Sequence, residues 1–166
     1  MGLNVNFRMA EIKDVDKLYK FLLPMQAGYK GYVPWLKRAI EEFYYGSKKA
    51  MLGFNDEVLV ASSIFQSCKH LKYFCELKNA RTIDKFARRY FFSFMLRQVE
   101  AISKEEGKLG IICDVRSDKT NIINLLKSNG YKEIARADLY NEGYEDSVMS
   151  KPLVDGHLFN QKTNIF

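Results

Sequence analysis

Two carboxylates lie inside otherwise apolar segments and are candidates for proton transfer. Glu76 lies within the segment 73–77, and Asp114 lies within the segment 109–115. If these side chains point away from water, desolvation raises the pKa of a carboxyl group towards the range that suits a general base. The alternative is that each carboxylate occupies the solvent-facing position of a strand.

Four cationic residues occur close together in the segment 81–89, at Arg81, Lys85, Arg88 and Arg89. A guanidinium group can bind a phosphate through two parallel hydrogen bonds, so the cluster is a candidate phosphate site. The alternative is the solvated face of an amphipathic helix. The formal net charge of +6 favours anionic partners in general and names none.

Other common chemistries have no support in the residue spacing. The cysteines at 68, 75 and 113 and the histidines at 70 and 157 match no metal-binding or redox pattern. A G-x-S-x-G nucleophile motif does not occur in the sequence. We therefore expect no metal site and no serine-hydrolase site.

The length of 166 residues suits one domain with a sizeable core. We expect this domain to span 1–153 and a polar tail to span 154–166. No apolar run approaches the roughly 20 residues that a membrane helix needs, and the first residues do not resemble a secretory signal. These features predict a cytoplasmic protein that does not enter the membrane.

Hydrophobic periodicity predicts a mixed α/β fold. Asp14 is the expected N-cap of the first helix, which Pro24 ends, and a second helix starts near Pro34. The predicted strands are 5–9, 50–54, 57–65, 71–78, 109–115, 132–140 and 146–153, and the later helices are 83–106 and 120–128. The order β-α-α-β-β-β-α-β-α-β-β indicates a central mixed sheet with helices on both faces, in which helix 83–106 joins two parallel strands.

From Phe91 onward, the sequence contains several short motifs whose spacings, taken together, are characteristic. They are Met95-Leu96, Val99, Gly107, Val115, Ile122-Ile123, Leu125, Gly130-Tyr131 and the closing segment 148–153. With Phe7-Arg8-Met9-Ala10 at the start, this pattern resembles the GNAT superfamily of acyl-CoA-dependent N-acyltransferases over about residues 5–153. The resemblance implies that acetyl-CoA binds as co-substrate between the fourth and fifth strands. It also implies that the pyrophosphate lies at the start of the third helix, where free N–H groups favour anions.

The sequence departs from the family pattern at the cofactor loop. In the family motif Q/R-x-x-G-x-G/A, the first position falls on Ala87, and the two glycines fall on Tyr90 and Phe92. The family's tyrosine general acid falls on Leu126, which carries no proton to donate. One interpretation is that arginines replace the glycine loop as the phosphate ligand. The other is that the fold has lost acetyl-CoA binding.

The resemblance assigns provisional roles to individual residues. Glu76 or Asp114 is the expected general base, and Tyr140 is a candidate proton donor that only its residue type supports. The expected cofactor contacts are the backbone of Leu77, Lys78 and Asn79 and the side chains of Arg88, Arg89, Asn121 and Asn124. The acceptor would lie against Tyr29, Tyr32 and Trp35, which equally suit a packed corner.

The resulting prediction is an N-acetyltransferase that transfers an acetyl group by direct attack of an unidentified amine, on a small molecule or a protein. The alternative is a non-catalytic GNAT-like module that binds a ligand or a protein. Nucleic acid binding has weaker support, because no recognition helix or RNA-binding signature is present. The aromatic content is compatible with a homodimer.

Overall fold

The computed structural model of the chain describes residues 4–87 and 90–155. Its helices and strands are β1 Val5–Met9, α1 Val15–Leu22, α2 Tyr32–Tyr44, β2 Lys48–Asn55, β3 Val58–Ser67, β4 Phe74–Thr82, α3 Phe91–Glu105, β5 Gly110–Arg116, α4 Thr120–Ser128, β6 Lys132–Ala137 and β7 Asp146–Pro152. The predicted element order is therefore confirmed. Among these described helices, none is both long and apolar enough to cross a membrane.

The strands form one mixed sheet in the order β1-β2-β3-β4-β5-β7-β6. β4 and β5 are parallel, as predicted for the strands that α3 connects. The antiparallel pairs include β1 with β2, β2 with β3, β5 with β7 and β6 with β7. By its contacts the chain divides into two compact units, one of 1–66 and 79–99 and one of 67–78 and 100–166.

The first unit has a hydrophobic core between two helices and the first antiparallel strands. Leu18 and Leu22 of α1 and Leu36 of α2 are fully buried with Leu52 of β2 and Ile64 of β3. These helical residues recur at steps of three and four, so that each helix presents one apolar face to the sheet. The remaining core members are Val15, Tyr32, Phe43, Ala50, Phe54 and Leu59.

Asp14 does not cap α1, contrary to the sequence prediction, because its side chain makes no capping hydrogen bond to that helix. Its carboxylate instead accepts two hydrogen bonds from the Arg8 guanidinium, at 2.6 and 2.8 Å, and one from the Glu11 backbone N–H at 2.8 Å. The paired cation and the short turn at Ile12–Asp14 compete successfully for the carboxylate. Asp14 therefore ties β1 to the start of α1.

The prediction that one continuous helix starts at residue 83 was wrong. The described residues of this stretch contain a short turn at Asp84–Phe86, and α3 begins only at Phe91. Tyr90 has a φ of +62°, a left-handed conformation that ends helical continuity. The rings of Phe86 and Phe91 pack together across the interruption at Tyr90, with centroids 5.2 Å apart. Apolar residues are therefore needed on both sides of it, and their spacing in the sequence resembles that of one helix.

The second unit is built around β5 and its antiparallel partner β7. Ile111 and Cys113 of β5, Met149 of β7 and Leu126 of α4 are buried. Tyr131 is also buried, and its hydroxyl donates to Glu100 at 3.2 Å. Strand 132–140 was predicted too long, since β6 ends at Ala137. Of the predicted tail, residues 156–166 lie outside the described residues.

Replacement of Asp14 should show how much its ion pair with Arg8 contributes to the free energy of unfolding. The Arg8 hydrogen bonds hold the pKa of Asp14 down from 3.8 to about 2. A folded-state pKa below the unfolded value contributes stability that is complete above about pH 4 and is lost as pH falls towards 2. Asp14→Asn should therefore lower the free energy of unfolding by about 2 kcal/mol at neutral pH and by much less near pH 2, as measured by urea titration.

Glu41→Gln is the matched control, because Glu41 lies exposed on α2. It should change the free energy of unfolding by less than about 0.5 kcal/mol. An equal loss in both variants, or a loss at Asp14 that does not diminish in acid, would contradict the role of the ion pair.

Candidate active site

A short parallel pairing sets the faces of β4 and β5. The register joins Phe74 to Gly110, Cys75 to Ile111 and Glu76 to Ile112. Directly paired residues project from the same face of a sheet, and the side chains of one strand alternate between faces. Glu76 therefore shares a face with Ile112, and Asp114, two residues further along β5, lies on that face too.

Glu76 is partly buried rather than solvent-facing. Its Oε1 accepts a hydrogen bond from Lys78 Nζ at 2.9 Å, and the two side chains are 21% and 18% exposed. The contact places Lys78 on the same face as Glu76, at the spacing that strand alternation requires. A base at this position would act beside a bound ammonium group.

Asp114 and Tyr140 come together in the structure although 26 residues separate them. The Tyr140 hydroxyl donates to Asp114 Oδ2 at 2.9 Å. Partial burial, then the charge of Asp114, raises the pKa of Tyr140 well above its usual value of 10, with smaller contributions from Asp146 and Glu76. Tyr140 is thus a protonated donor at neutral pH, held against a carboxylate on the β4–β5 face.

Asp146 is a buried carboxylate that the sequence analysis did not single out. It is the first residue of β7, is 3% exposed and pairs with Arg116 of β5. Burial, and then the charge of Asp114, raises the pKa of Asp146. The polar segment before it resembles a loop, and only the start of the predicted strand at 146 could have indicated that its side chain turns inward.

The carboxyl end of β5 also holds a cation. The Arg116 guanidinium lies 4.3 Å from the centre of the Tyr144 ring and donates to Asp118 at 2.7 Å. Tyr144 and Tyr140 both belong to the segment between β6 and β7. The ring contact with Arg116 therefore fixes this segment at a second point.

The predicted cofactor residues have different environments. Leu77 is buried within β4, and Asn79 is 7% exposed, with an Oδ1 atom that has no hydrogen-bond partner among the described residues. Asn121 and Asn124 are exposed on α4. Arg88 and Arg89 lie outside the described residues. Their assignment to cofactor binding stays a prediction.

The start of α3 keeps the backbone conformation for which glycine is the usual residue. Tyr90, at the first expected glycine position, has a φ of +62° and a side chain that is 85% exposed. Its carbonyl accepts the Phe94 N–H at 2.9 Å, as the residue before a helix normally does. Its ring thus projects into solvent at the start of α3.

The three aromatic residues expected at an acceptor pocket belong largely to the core of the first unit. Tyr32 is 4% exposed, and its hydroxyl donates to the Leu22 carbonyl at 3.0 Å. Trp35 stacks against Tyr32 with ring centroids 5.8 Å apart, and Tyr29 packs partly buried against the same cluster. These contacts agree with the alternative interpretation, a packed corner of the core. An acceptor role for these residues stays a prediction.

The sequence matches no family model and no curated protein. Solved structures with the same fold include a GNAT-family protein from Desulfovibrio desulfuricans, with a TM-score of 0.78 and 9% identity over 90% of this chain and 99% of that one. The yncA protein of Salmonella typhimurium, solved with its cofactor acetyl-CoA, has a TM-score of 0.72 and 12% identity over 91% and 95%.

The ribosomal-protein-S18-alanine N-acetyltransferase from Escherichia coli is a further structural neighbour. Its TM-score is 0.70, with 17% identity over 90% of this chain and 94% of that one. These similarities establish that the chain has the GNAT acetyltransferase fold, as its sequence motifs predicted. Structural similarity at such low identity defines the fold and leaves the reaction to be argued from the site.

Removal of the Asp114 charge should lower the pKa of Tyr140. We expect the wild-type phenol to stay protonated at about pH 10, where a free tyrosine is half ionised. In Asp114→Asn the hydroxyl loses its anionic neighbour, so that ionisation should occur at lower pH. Carbon NMR of tyrosine labelled at Cζ measures this, and Tyr140→Phe identifies the signal. An unchanged midpoint in Asp114→Asn would contradict the observed pair.

Proposed function

We propose that the chain is an acyl-CoA-dependent N-acetyltransferase in which Asp114 and Tyr140 carry the proton transfers. The observation that carries this proposal is the 2.9 Å hydrogen bond between the two residues, on the face that Asp114 shares with Glu76. The GNAT fold, with β4 and β5 paired over three residues, supports it. In the family this pair of strands flanks the thioester.

The proposed reaction needs one base and one acid. A bound acetyl thioester supplies an activated acyl group, and attack by a neutral amine forms a C–N bond as the C–S bond breaks. Asp114 accepts the proton that the amine loses, directly or through a water molecule. Tyr140 donates its proton to the departing sulfur. The hydrogen bond between them then lets Asp114 return a proton to Tyr140.

The charges impose an order on these transfers. A phenolate beside an ionised carboxylate is unfavourable, and this is part of why the pKa of Tyr140 is raised. Once Asp114 has accepted the amine proton, that repulsion is removed and Tyr140 becomes a stronger acid. Proton uptake by Asp114 therefore precedes or accompanies donation by Tyr140. Glu76 is the second candidate base, and its contact with Lys78 distinguishes it from Asp114.

The cofactor contacts that we propose follow the family resemblance. The backbone of Leu77, Lys78 and Asn79 would bind the pantetheine arm, and the start of α3 would bind the pyrophosphate. The conformation of Tyr90 supports the second assignment, because the backbone adopts a glycine-like φ without a glycine. Arg88 and Arg89 would add positive charge, and Asn121 and Asn124 are candidates for contact from α4.

The acceptor that we propose is a primary amine on a small molecule or a protein. The Escherichia coli neighbour is named for an alanine of a ribosomal protein, so peptide N-termini belong among the amines to be tested. Tyr29 and Trp35 are partly buried and remain candidates for the pocket wall. Tyr32 is the weakest of the three candidates, because it is buried and its hydroxyl is bonded to Leu22.

The alternative function is a GNAT-like module that binds a ligand or protein without catalysis. It is favoured by Leu126, which is fully buried where the family has its tyrosine acid, and by Tyr90 and Phe92 in place of glycines. The replacement of the family's tyrosine by Leu126 does not exclude catalysis, because Tyr140 supplies a hydroxyl from a different part of the chain. Binding of acetyl-CoA decides between the two functions.

Acetyl-CoA should stabilise the protein against heat. A ligand at a hundred times its dissociation constant adds roughly 2.7 kcal/mol, which corresponds to a rise in Tm of about 5 to 10 °C for a chain of this size. Differential scanning fluorimetry measures the shift, with inorganic pyrophosphate as the control for non-specific anion binding. The absence of a shift with acyl-CoA of any chain length would favour the non-catalytic alternative.

Asp114→Asn should slow acetyl transfer without weakening cofactor binding. We expect kcat to fall by about 10²- to 10⁴-fold with an unchanged KM for acetyl-CoA, because a general base contributes about this much. Release of free CoA thiol is measured with spermidine, lysine and a peptide that begins with alanine. Asp155→Asn, which alters an exposed carboxylate outside the site, is the control. A larger loss in Glu76→Gln would transfer the base role to Glu76.

A further inference from the structure

The loop that carries Tyr140 is not held by the hydrophobic core. This segment, 138–145, which we call the β6–β7 loop, connects two strands that pair up to Ala137 and Asp146. All of its residues belong to the described part of the chain, and none of their side chains is buried. The Tyr140 side chain is 50% exposed. Polar contacts must therefore hold the tyrosine in place.

Asp138 closes a turn around Tyr140. Its Oδ1 accepts the Glu142 N–H at 3.0 Å, and its Oδ2 accepts the Gly143 N–H at 2.9 Å. Hydrogen bonds from an aspartate side chain to the backbone that follows it stabilise a local turn. The turn also needs left-handed backbone at Asn141 and Gly143, with φ values of 54° and 77°, which asparagine and glycine tolerate. The two bonds therefore join the first residue of the loop to residues beyond the tyrosine.

The other end of the β6–β7 loop is attached to the carboxyl end of β5. The Glu145 carbonyl accepts the Ser117 N–H at 2.9 Å, and the Tyr144 ring lies against the Arg116 guanidinium. Asp138 connects this attached end to the start of the loop through its two backbone hydrogen bonds. The apex of the turn is thus held from both sides.

A closed turn strengthens the contact between Tyr140 and Asp114. Their hydrogen bond lies at an exposed position, where water competes for both partners. Ordering the backbone of a loop also costs conformational entropy. Because the closed turn has already lost much of that entropy, less of the energy of the hydrogen bond is spent on ordering the loop.

We propose that Asp138 is a positioning residue that holds the Tyr140 hydroxyl on Asp114 by closing the turn around the tyrosine. The Asp138 carboxylate is occupied by the two loop N–H groups and takes no part in the proton transfers. The importance of this turn for catalysis rests on the proposed acetyltransferase function, whereas the positioning can be measured in the free protein.

The phenol of Tyr140 reports its own position. Partial burial and the charges of Asp114, Asp146 and Glu76 raise its pKa, and these charges remain when Asp138 is replaced. A ring that leaves Asp114 becomes more solvated and moves away from that charge, so that its ionisation midpoint falls towards the value of about 10 for free tyrosine. Carbon NMR of tyrosine labelled at Cζ follows both this midpoint and the signal at neutral pH.

Two replacements of Asp138 test the turn. Asp138→Ala removes both acceptor oxygens, so that the Tyr140 signal should move towards that of free tyrosine and the midpoint should fall by about one unit or more. Asp138→Asn keeps one acceptor oxygen and should produce a smaller change in the same direction. Glu142→Gln removes a negative charge from the same turn but keeps the N–H that Asp138 binds, and it should change neither quantity.

A wild-type signal and midpoint in a folded Asp138→Ala variant would overturn the proposal. If circular dichroism shows that this variant does not fold, Asp138→Asn decides, and wild-type values there overturn the proposal too. An equal change in Glu142→Gln would attribute the response to charge and would likewise overturn the role of the turn. These NMR measurements need no cofactor and no turnover.

Kinetics then test the catalytic consequence with the amines that accept an acetyl group. Asp138→Ala should lower kcat by at least about tenfold with an unchanged KM for acetyl-CoA, and Asp138→Asn should recover part of that loss. Acetyl transfer whose kcat responds to neither variant overturns the catalytic importance of Asp138 alone. A clear NMR response in a protein that neither binds nor uses acetyl-CoA overturns the proposed function alone.

Discussion

The placement of two carboxylates on one face of β5 and β7, Asp114 and Asp146, is the constraint on which the candidate site depends. Asp114 and Asp146 lie on paired strands with side chains on the same face, and the charge of Asp114 adds to burial in raising the pKa of Asp146. Cations or hydrogen-bond donors are therefore needed beside these carboxylates. For Asp114, the segment between β6 and β7 supplies the Tyr140 hydroxyl.

This constraint bears on how the proposed reaction would proceed without the family's usual tyrosine. The position of that tyrosine is occupied by Leu126, which α4 buries in the core of the second unit. Asp114 on β5 can accept a hydrogen bond from a hydroxyl on any segment that lies close to it. Here the segment after β6 supplies the hydroxyl of Tyr140. The proposed proton donor and acceptor are thereby joined by a direct hydrogen bond.

The errors of prediction share one cause, which is competition between local patterns and distant partners. Asp14 precedes a helix, as an N-cap should, but the Arg8 guanidinium binds its carboxylate more strongly than backbone N–H groups do. The apolar period from Phe86 to Phe91 suggested a continuous helix, although Tyr90 interrupts it. Aromatic packing rather than helical geometry produced that period.

The sequence was sufficient to predict the order of the elements, the parallel β4–β5 pair and the GNAT resemblance, because hydrophobic period and turn residues act over short distances. It also singled out Glu76, Asp114 and Tyr140 by residue type. Folding alone brings Tyr140 to Asp114 and buries Asp146 beside Arg116. Strand register and loop closure decide these contacts, and both arise between residues that are far apart in the chain.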